Sequence, residues 1–209
     1  MSIDTVMARM SELHQAFGAA RPRTVAQVAE PATVQNATQF KSLLNQANGA
    51  TATQAVAPTL GGTVGDKIVA LAQAEVGQAE QPPGSNDSPR ISQYRSATAG
   101  APGPGPWCAY FTSWAAKEAG TPLGDHGQGF GSVDAVYAWA QSSGKANPIA
   151  SGTPPKPGDL IVWDEHIGIV KSVNADGTIS TIEGNSSDKV SERTYGKDGG
   201  GAIGFVSLS

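Results

Sequence analysis

A single cysteine, Cys108, follows the proline-rich run APGPGPW and opens a segment, 108–120, whose pattern reads as a helix ending at Gly120. In cysteine chemistry the thiolate is the nucleophile, and it forms where its charge is favoured and a base is in reach. A helix start favours it, because the first backbone N–H groups lack partners and the macrodipole is positive there. The Cys108 N–H would also point toward a developing oxyanion. Taken alone, a solitary cysteine is more often a small buried hydrophobe. The case therefore rests on what the rest of the chain brings to it.

The partner is His166, at the start of a strand pattern that runs to Val173, followed by the turn Asn174-Ala-Asp-Gly177. With those four residues as the loop, Val173 faces Thr178, Gly168 faces Glu183 and His166 faces Asn185. Side chains alternate along a strand, so all four of His166, Gly168, Glu183 and Asn185 share one face. A carboxylate and an amide beside an imidazole fix its tautomer and orientation. Gly168 leaves room for Glu183. An odd-length loop or a bulge would break this register. Trp107, beside the nucleophile, and Trp163, near the base, are expected to touch substrate.

The elements that must carry these residues follow from pattern. Ile68, Val69, Ala72 and Val76 form a helical stripe, and residues 82–106, with six prolines, read as one long loop. On the Cys108 helix, Phe111, Trp114, Ala115 and Ala119 share a broad face with the cysteine. A further helix is expected over 132–140. After PPKPGD the pattern changes to strands at 160–163, 166–173, 178–183, 189–194 and 202–207. Helices followed by an antiparallel run of strands imply an α+β fold.

Three regions are expected: a helical docking or export segment over 1–48, a flexible linker over 49–63 and a catalytic domain over 64–209. In the first, Ile3, Val6, Met10, Leu13 and Phe17 recur at spacings of three and four, a coiled-coil-like seam. A second short helix is expected around Phe40, Leu43, Leu44 and Ala47, and the stretches at 20–37 and 49–63 have linker composition.

The chain has 209 residues and a net charge of −4, with 15% charged residues. Residues 1–62 carry four basic and three acidic side chains; residues 63–209 carry ten and fifteen, a net of −5. No Lys/Arg stripe tracks a phosphate backbone, so nucleic acid is not an expected partner. No stretch approaches the roughly 18–20 apolar residues of a membrane span, and no secretory signal pattern opens the chain. His14 and His126 form no zinc spacing with Cys108 or His166, and no HExxH occurs, so neither a metal nor a cofactor is expected. GSNDSPR is rich in oxygen ligands but lacks the acidic spacing of a calcium loop. The glycine runs at 103–105 and 127–131 lack the strand-to-helix setting of a nucleotide fingerprint.

The motifs GSNDSPRISQYRSATAG, PWCAYFTSWAAKEAG, VDAVYAWA, PKPGDLIVWDEHIGIVKSVNADGTISTIEGN and GAIGFVSL, in that order, resemble the CHAP family of cysteine, histidine-dependent amidohydrolases/peptidases. The resemblance implies a papain-like fold and cleavage of amide bonds in bacterial peptidoglycan. It makes Cys108 the nucleophile, His166 the base, and Glu183 and Asn185 the orienting polar residues. Asp164-Glu165 stands where a glycine is common before the histidine; two acids there are expected to raise the His166 pKa or to shape the cleft. No side-chain oxyanion donor is identifiable.

The N-terminal pattern resembles the leaders of wall hydrolases encoded among flagellar genes. That implies delivery to the wall or periplasm by a non-Sec route, with a flagellar rod or secretion component as partner. A phage endolysin or tail-associated lysin of the same chemistry, and a non-catalytic wall-binding or assembly module, are the alternatives.

Overall fold

In the computed structural model, which describes residues 62–208, three of the four α-helices begin on a capping side chain. Thr63 and Asp66 form a capping box at the start of α1 (Val64–Ala74): Thr63 Oγ1 accepts from the Asp66 N–H at 3.2 Å, and Asp66 Oδ2 accepts from the Thr63 N–H at 2.8 Å. Ile68 and Ala72 are buried on its inner face. Val76 lies beyond the helix and is 40% exposed, so it leaves the expected stripe. The expected helical seam at 2–18, the short helix near residue 43 and most of the linker lie outside the described residues.

The expected loop at 82–106 is interrupted by α2 (Pro89–Ser96). Ser88 caps it, accepting from the Ile91 N–H at 3.2 Å, and Pro89 occupies its first position. Ile91 and Tyr94 supply its buried apolar contacts, too few for a periodic signal in the sequence. The oxygen-rich GSNDSPR run is thus absorbed in capping and in an ion pair between Asp87 and Arg95. Helix α3 (Cys108–Glu118) ends as expected at glycine: Gly120 takes φ +88°, with Gly120 N–H on Lys117 O at 3.0 Å and Thr121 N–H on Ala116 O at 2.9 Å. That pair of bonds is the Schellman arrangement. Ser132 starts α4 (Val133–Ser142).

Six strands follow: β1 (Ala146–Pro148), β2 (Leu160–Val162), β3 (Ile167–Val173), β4 (Ile179–Glu183), β5 (Ser191–Tyr195) and β6 (Gly204–Val206). They form one antiparallel sheet in the order β1-β6-β2-β3-β4-β5. The fold is α+β, as the pattern of elements implies. β1 escapes a sequence reading because it is three residues long and holds Pro148, which an edge strand tolerates. Helices α1 and α3 pack on β3, and the core cluster lies between helices and sheet. A smaller apolar cluster, including Ile161, Val170, Ile179 and Phe205, covers the opposite face. Coverage on both faces explains why Leu160-Ile161-Val162 and the start of β3 are continuously apolar.

The β3–β4 hairpin departs from its expected register twice. Val173 faces Ile179, not Thr178, so the loop is one residue longer than expected. A bulge between Val170 and Ser172 then removes one residue from the ladder, and Val170 faces Thr181 while Ile169 faces Ile182. The two departures cancel. Continuing the ladder sets Gly168 opposite Glu183, as the sequence implies.

Candidate active site

Cys108 is the first residue of α3, and that start differs from those of the other helices described. Thr63, Ser88 and Ser132 each cap their helix with a side-chain oxygen, whereas Trp107 caps α3 with none. The N–H groups of the first turn are left to whatever enters from solvent, at the positive pole of the helix. The thiol is only 5% exposed, but it opens into a cleft of about 590 Å³. The proline-glycine run 102–106 lines this cleft with Tyr110, Gly131–Asp134, Asp164 and Glu165.

His166 stands just ahead of β3. Its Nε2 meets Glu183 Oε2 at 2.9 Å, which leaves Nδ1 for Cys108. Burial pulls the imidazole toward neutrality, but hydrogen bonding to Cys108 and to Glu183, with the charges of both, carries its pKa up to about 9. Burial likewise opposes ionisation of Glu183, yet hydrogen bonds from His166 and Thr181 hold its carboxyl below the ordinary value. Thr181 Oγ1 donates to Glu183 Oε1 at 2.5 Å. Tyr195 faces the same carboxylate, and burial together with that charge pushes its phenol up to about 12. Asp164 and Glu165 line the cleft; the upward influences on His166 are Cys108 and Glu183.

Two glycines set the spacing. A Cβ on Gly168 would lie 2.7 Å from Glu183 Cγ, so the carboxylate reaches the imidazole across a bare backbone. A Cβ on Gly184 would lie 2.6 Å from Phe111 Cβ and 2.9 Å from Trp107 Cζ3, so the end of β4 can close on α3 only without one.

Cys108, His166 and Glu183 are brought together as the sequence implies; Asn185 is brought near but not onto the imidazole. It takes φ +58° and turns toward the start of α3. In one amide orientation Nδ2 reaches Asn86 Oδ1 at 3.4 Å. In the other, Nδ2 donates to Glu80 Oε1 at 3.2 Å and Oδ1 accepts from the Trp107 backbone N–H at 3.2 Å. The second orientation satisfies both ends and is adopted below.

The expectation that Trp107 touches substrate is corrected. It is fully buried, its ring packs on Tyr94 and Phe111, and its Nε1 donates to Glu80 Oε1 at 3.0 Å. Trp163 is half-buried, 5.6 Å from the His166 ring and 5.0 Å from Tyr195, with Nε1 on Gly199 O at 2.9 Å. His126 is exposed and outside the cleft lining. Among the described residues no group of three His, Cys, Asp or Glu could hold a metal ion, and no helix is long and apolar enough to cross a membrane.

Sequence reasoning missed Thr181, Tyr195 and Glu80. Thr181 was within reach, since it stands two residues before Glu183 on the same face of a strand. Nothing in the local pattern marks Glu80, which meets the site only through the fold.

The α+β fold thus sets a cysteine at the head of a helix against a histidine at the head of an antiparallel strand. The family model of the CHAP domain matches residues 100–185 of this chain. A search of curated proteins returns no match. Among solved structures, an N-acetylmuramoyl-L-alanine amidase from Staphylococcus aureus is similar at 20% identity and a TM-score of 0.40; the match covers 51% of this chain and 31% of that one.

Proposed function

We propose that this chain hydrolyses an amide bond of bacterial peptidoglycan through a cysteine acyl-enzyme. The observation that carries the reading is Cys108 at an uncapped helix start, opening into a cleft, with Nδ1 of His166 left for it by the Nε2–Glu183 bond. The CHAP match over 100–185 supports the wall as substrate.

The Cys108 thiolate adds to the scissile carbonyl carbon, and the Cys108 N–H receives the oxyanion. The imidazolium of His166 gives its proton to the leaving nitrogen as the C–N bond breaks, leaving a thioester and a free amine. The neutral imidazole then takes a proton from water. The hydroxide adds to the thioester carbon, the C–S bond breaks, and a carboxylic acid leaves. Glu183 stays ionised throughout and holds the ring in place. Trp163, beside the imidazole, is the aromatic surface for substrate near the base.

The experiment is release of new amine and carboxyl termini from purified sacculi. Wild type should release both, and Cys108→Ala should fall to background with its melting temperature little changed. Activity retained by Cys108→Ala removes the assignment. Mass spectrometry of the released fragments identifies the bond, whether muramoyl–alanine amide or a peptide of the stem or cross-bridge. The pattern at 2–18 supports residues 1–48 as the segment that docks on a flagellar rod or secretion component and delivers the enzyme to the wall. Deleting 2–18 should then abolish delivery while leaving hydrolysis by the purified protein intact.

A further inference from the structure

Glu80 is 3% exposed, yet donors reach its carboxylate from three segments, two of them remote in sequence. Oε2 accepts from the Asn86 backbone N–H at 2.7 Å, in the loop entering α2. Oε1 accepts from Trp107 Nε1 at 3.0 Å and from Asn185 Nδ2 at 3.2 Å. Trp107 immediately precedes the nucleophile, and Asn185 is two residues beyond the carboxylate that holds His166. A buried carboxylate is costly unless fully bonded, and as plain scaffolding an apolar side chain of that size would serve as well.

The start of α3 shows what the charge is for. Ser88 and Ser132 enter their helices from extended backbone and fold a hydroxyl over the first turn. Trp107 enters at φ −123°, ψ 12° with no such cap. A cap of that kind at position 107 would fold a side-chain oxygen over the first turn of α3, onto the Tyr110 N–H beside the thiol. Here the entry is held from behind instead: Glu80 bonds the indole, and the Asn185 amide, turned by Glu80, accepts from the Trp107 backbone N–H at 3.2 Å.

We propose that Glu80 is a positioning residue for the Cys108–His166 pair, acting through Asn185 and Trp107 to join the β4 end to the start of α3 while its first-turn N–H groups stay free. This rests on the reading of Cys108 as nucleophile, but its test needs no wall substrate. In the full chain, the rate at which iodoacetamide alkylates Cys108 at pH 6 reports how the thiol is held against His166. Glu80→Gln keeps the volume but places an amide N–H₂ against one of the three donors. It should remain folded and be alkylated on the order of ten- to a hundredfold more slowly. Asn185→Ala should slow alkylation similarly, and the double variant should be no slower than the slower single, since both act along one path.

A folded Glu80→Gln alkylated at the wild-type rate, whatever its melting temperature, overturns the proposal, as do fully additive losses in the double variant. If Glu80→Gln does not fold, Glu80→Asp, one methylene too short to span the donors, takes its place. Slowed alkylation in folded Glu80→Asp supports the proposal and a wild-type rate overturns it. Protein that reacts rapidly with iodoacetamide but leaves sacculi intact would overturn the proposed substrate and leave the positioning role standing.

Discussion

His166 has two ring nitrogens and spends one, Nε2, on a carboxylate that is itself nearly fully buried. Its protonated form is therefore favoured, and Glu183→Gln should move its pKa down from about 9, read by NMR titration of the ring. Sacculus hydrolysis should fall by roughly tenfold or more in the same variant. A titration unchanged by Glu183→Gln would show that the carboxylate charge does not govern the ring. The raised value also has a sign for stability. The folded form holds the proton more tightly than the unfolded chain, so the contribution is complete below the ordinary value of 6.5 and is lost as pH rises through about 9. Glu183 runs the other way: its depressed value contributes above the ordinary 4.5 and is lost as pH falls through the folded value. Denaturant unfolding across pH should show both slopes, and His166→Ala should flatten the alkaline one. At this scale the sequence is informative about chemistry and weak about neighbours. Residue type and strand alternation place Cys108, His166 and Glu183, while Asn185 misses the ring because its positive φ turns it out of the strand before the pattern can be extended.

Helix α3 and the end of strand β4 approach over Gly184, and the distance between them bears on whether His166 and Cys108 meet. Gly184→Ala would drive a methyl into Phe111 and Trp107. It should cost about 1–3 kcal/mol in denaturant unfolding and slow both alkylation and hydrolysis. A variant with unchanged stability and rate would show that the two elements are free to separate. The need for a glycine at 168 was legible, because the partner carboxylate is found by strand arithmetic; the need at 184 was not, because it comes from a helix packed across the sheet. The register itself was read correctly for an incomplete reason. The arithmetic assumed a four-residue loop and no bulge, and the structure has a longer loop and a bulge that restores the count.

Across the whole domain, the aromatic residues join α2 to α3. Tyr94, Trp107, Phe111 and Trp114 pack within 5.0 to 6.4 Å of one another's ring centroids in five pairings, and the Arg90 guanidinium lies over Tyr94 and Trp114. Arg90 is in turn paired with buried Glu75 at 2.5 Å, whose carboxyl accepts from the Tyr94 hydroxyl at 2.6 Å. Phe111→Ala should destabilise the domain by about 3–5 kcal/mol in urea unfolding, the usual cost of emptying a buried phenylalanine site. A loss below about 1 kcal/mol would mean the cluster repacks. The α+β order of helices and strands was legible from periodicity alone. Helix α2 and strand β1 were not: one buries only a few residues, the other is a three-residue edge, and both exist because their neighbours supply the surface they cover.

The bulge between Val170 and Ser172 separates two halves of one hairpin. Beyond it, the exposed turn and the outer ends of β3 and β4 form a tip; before it, the ladder carries the histidine and its carboxylate. A residue gained or lost in the tip can be taken up where the ladder already slips, so the count that sets Glu183 opposite Gly168 begins only at Val170. The tip is accordingly where this domain can accept grafted sequence, a label or a binding loop while its chemistry is left in phase.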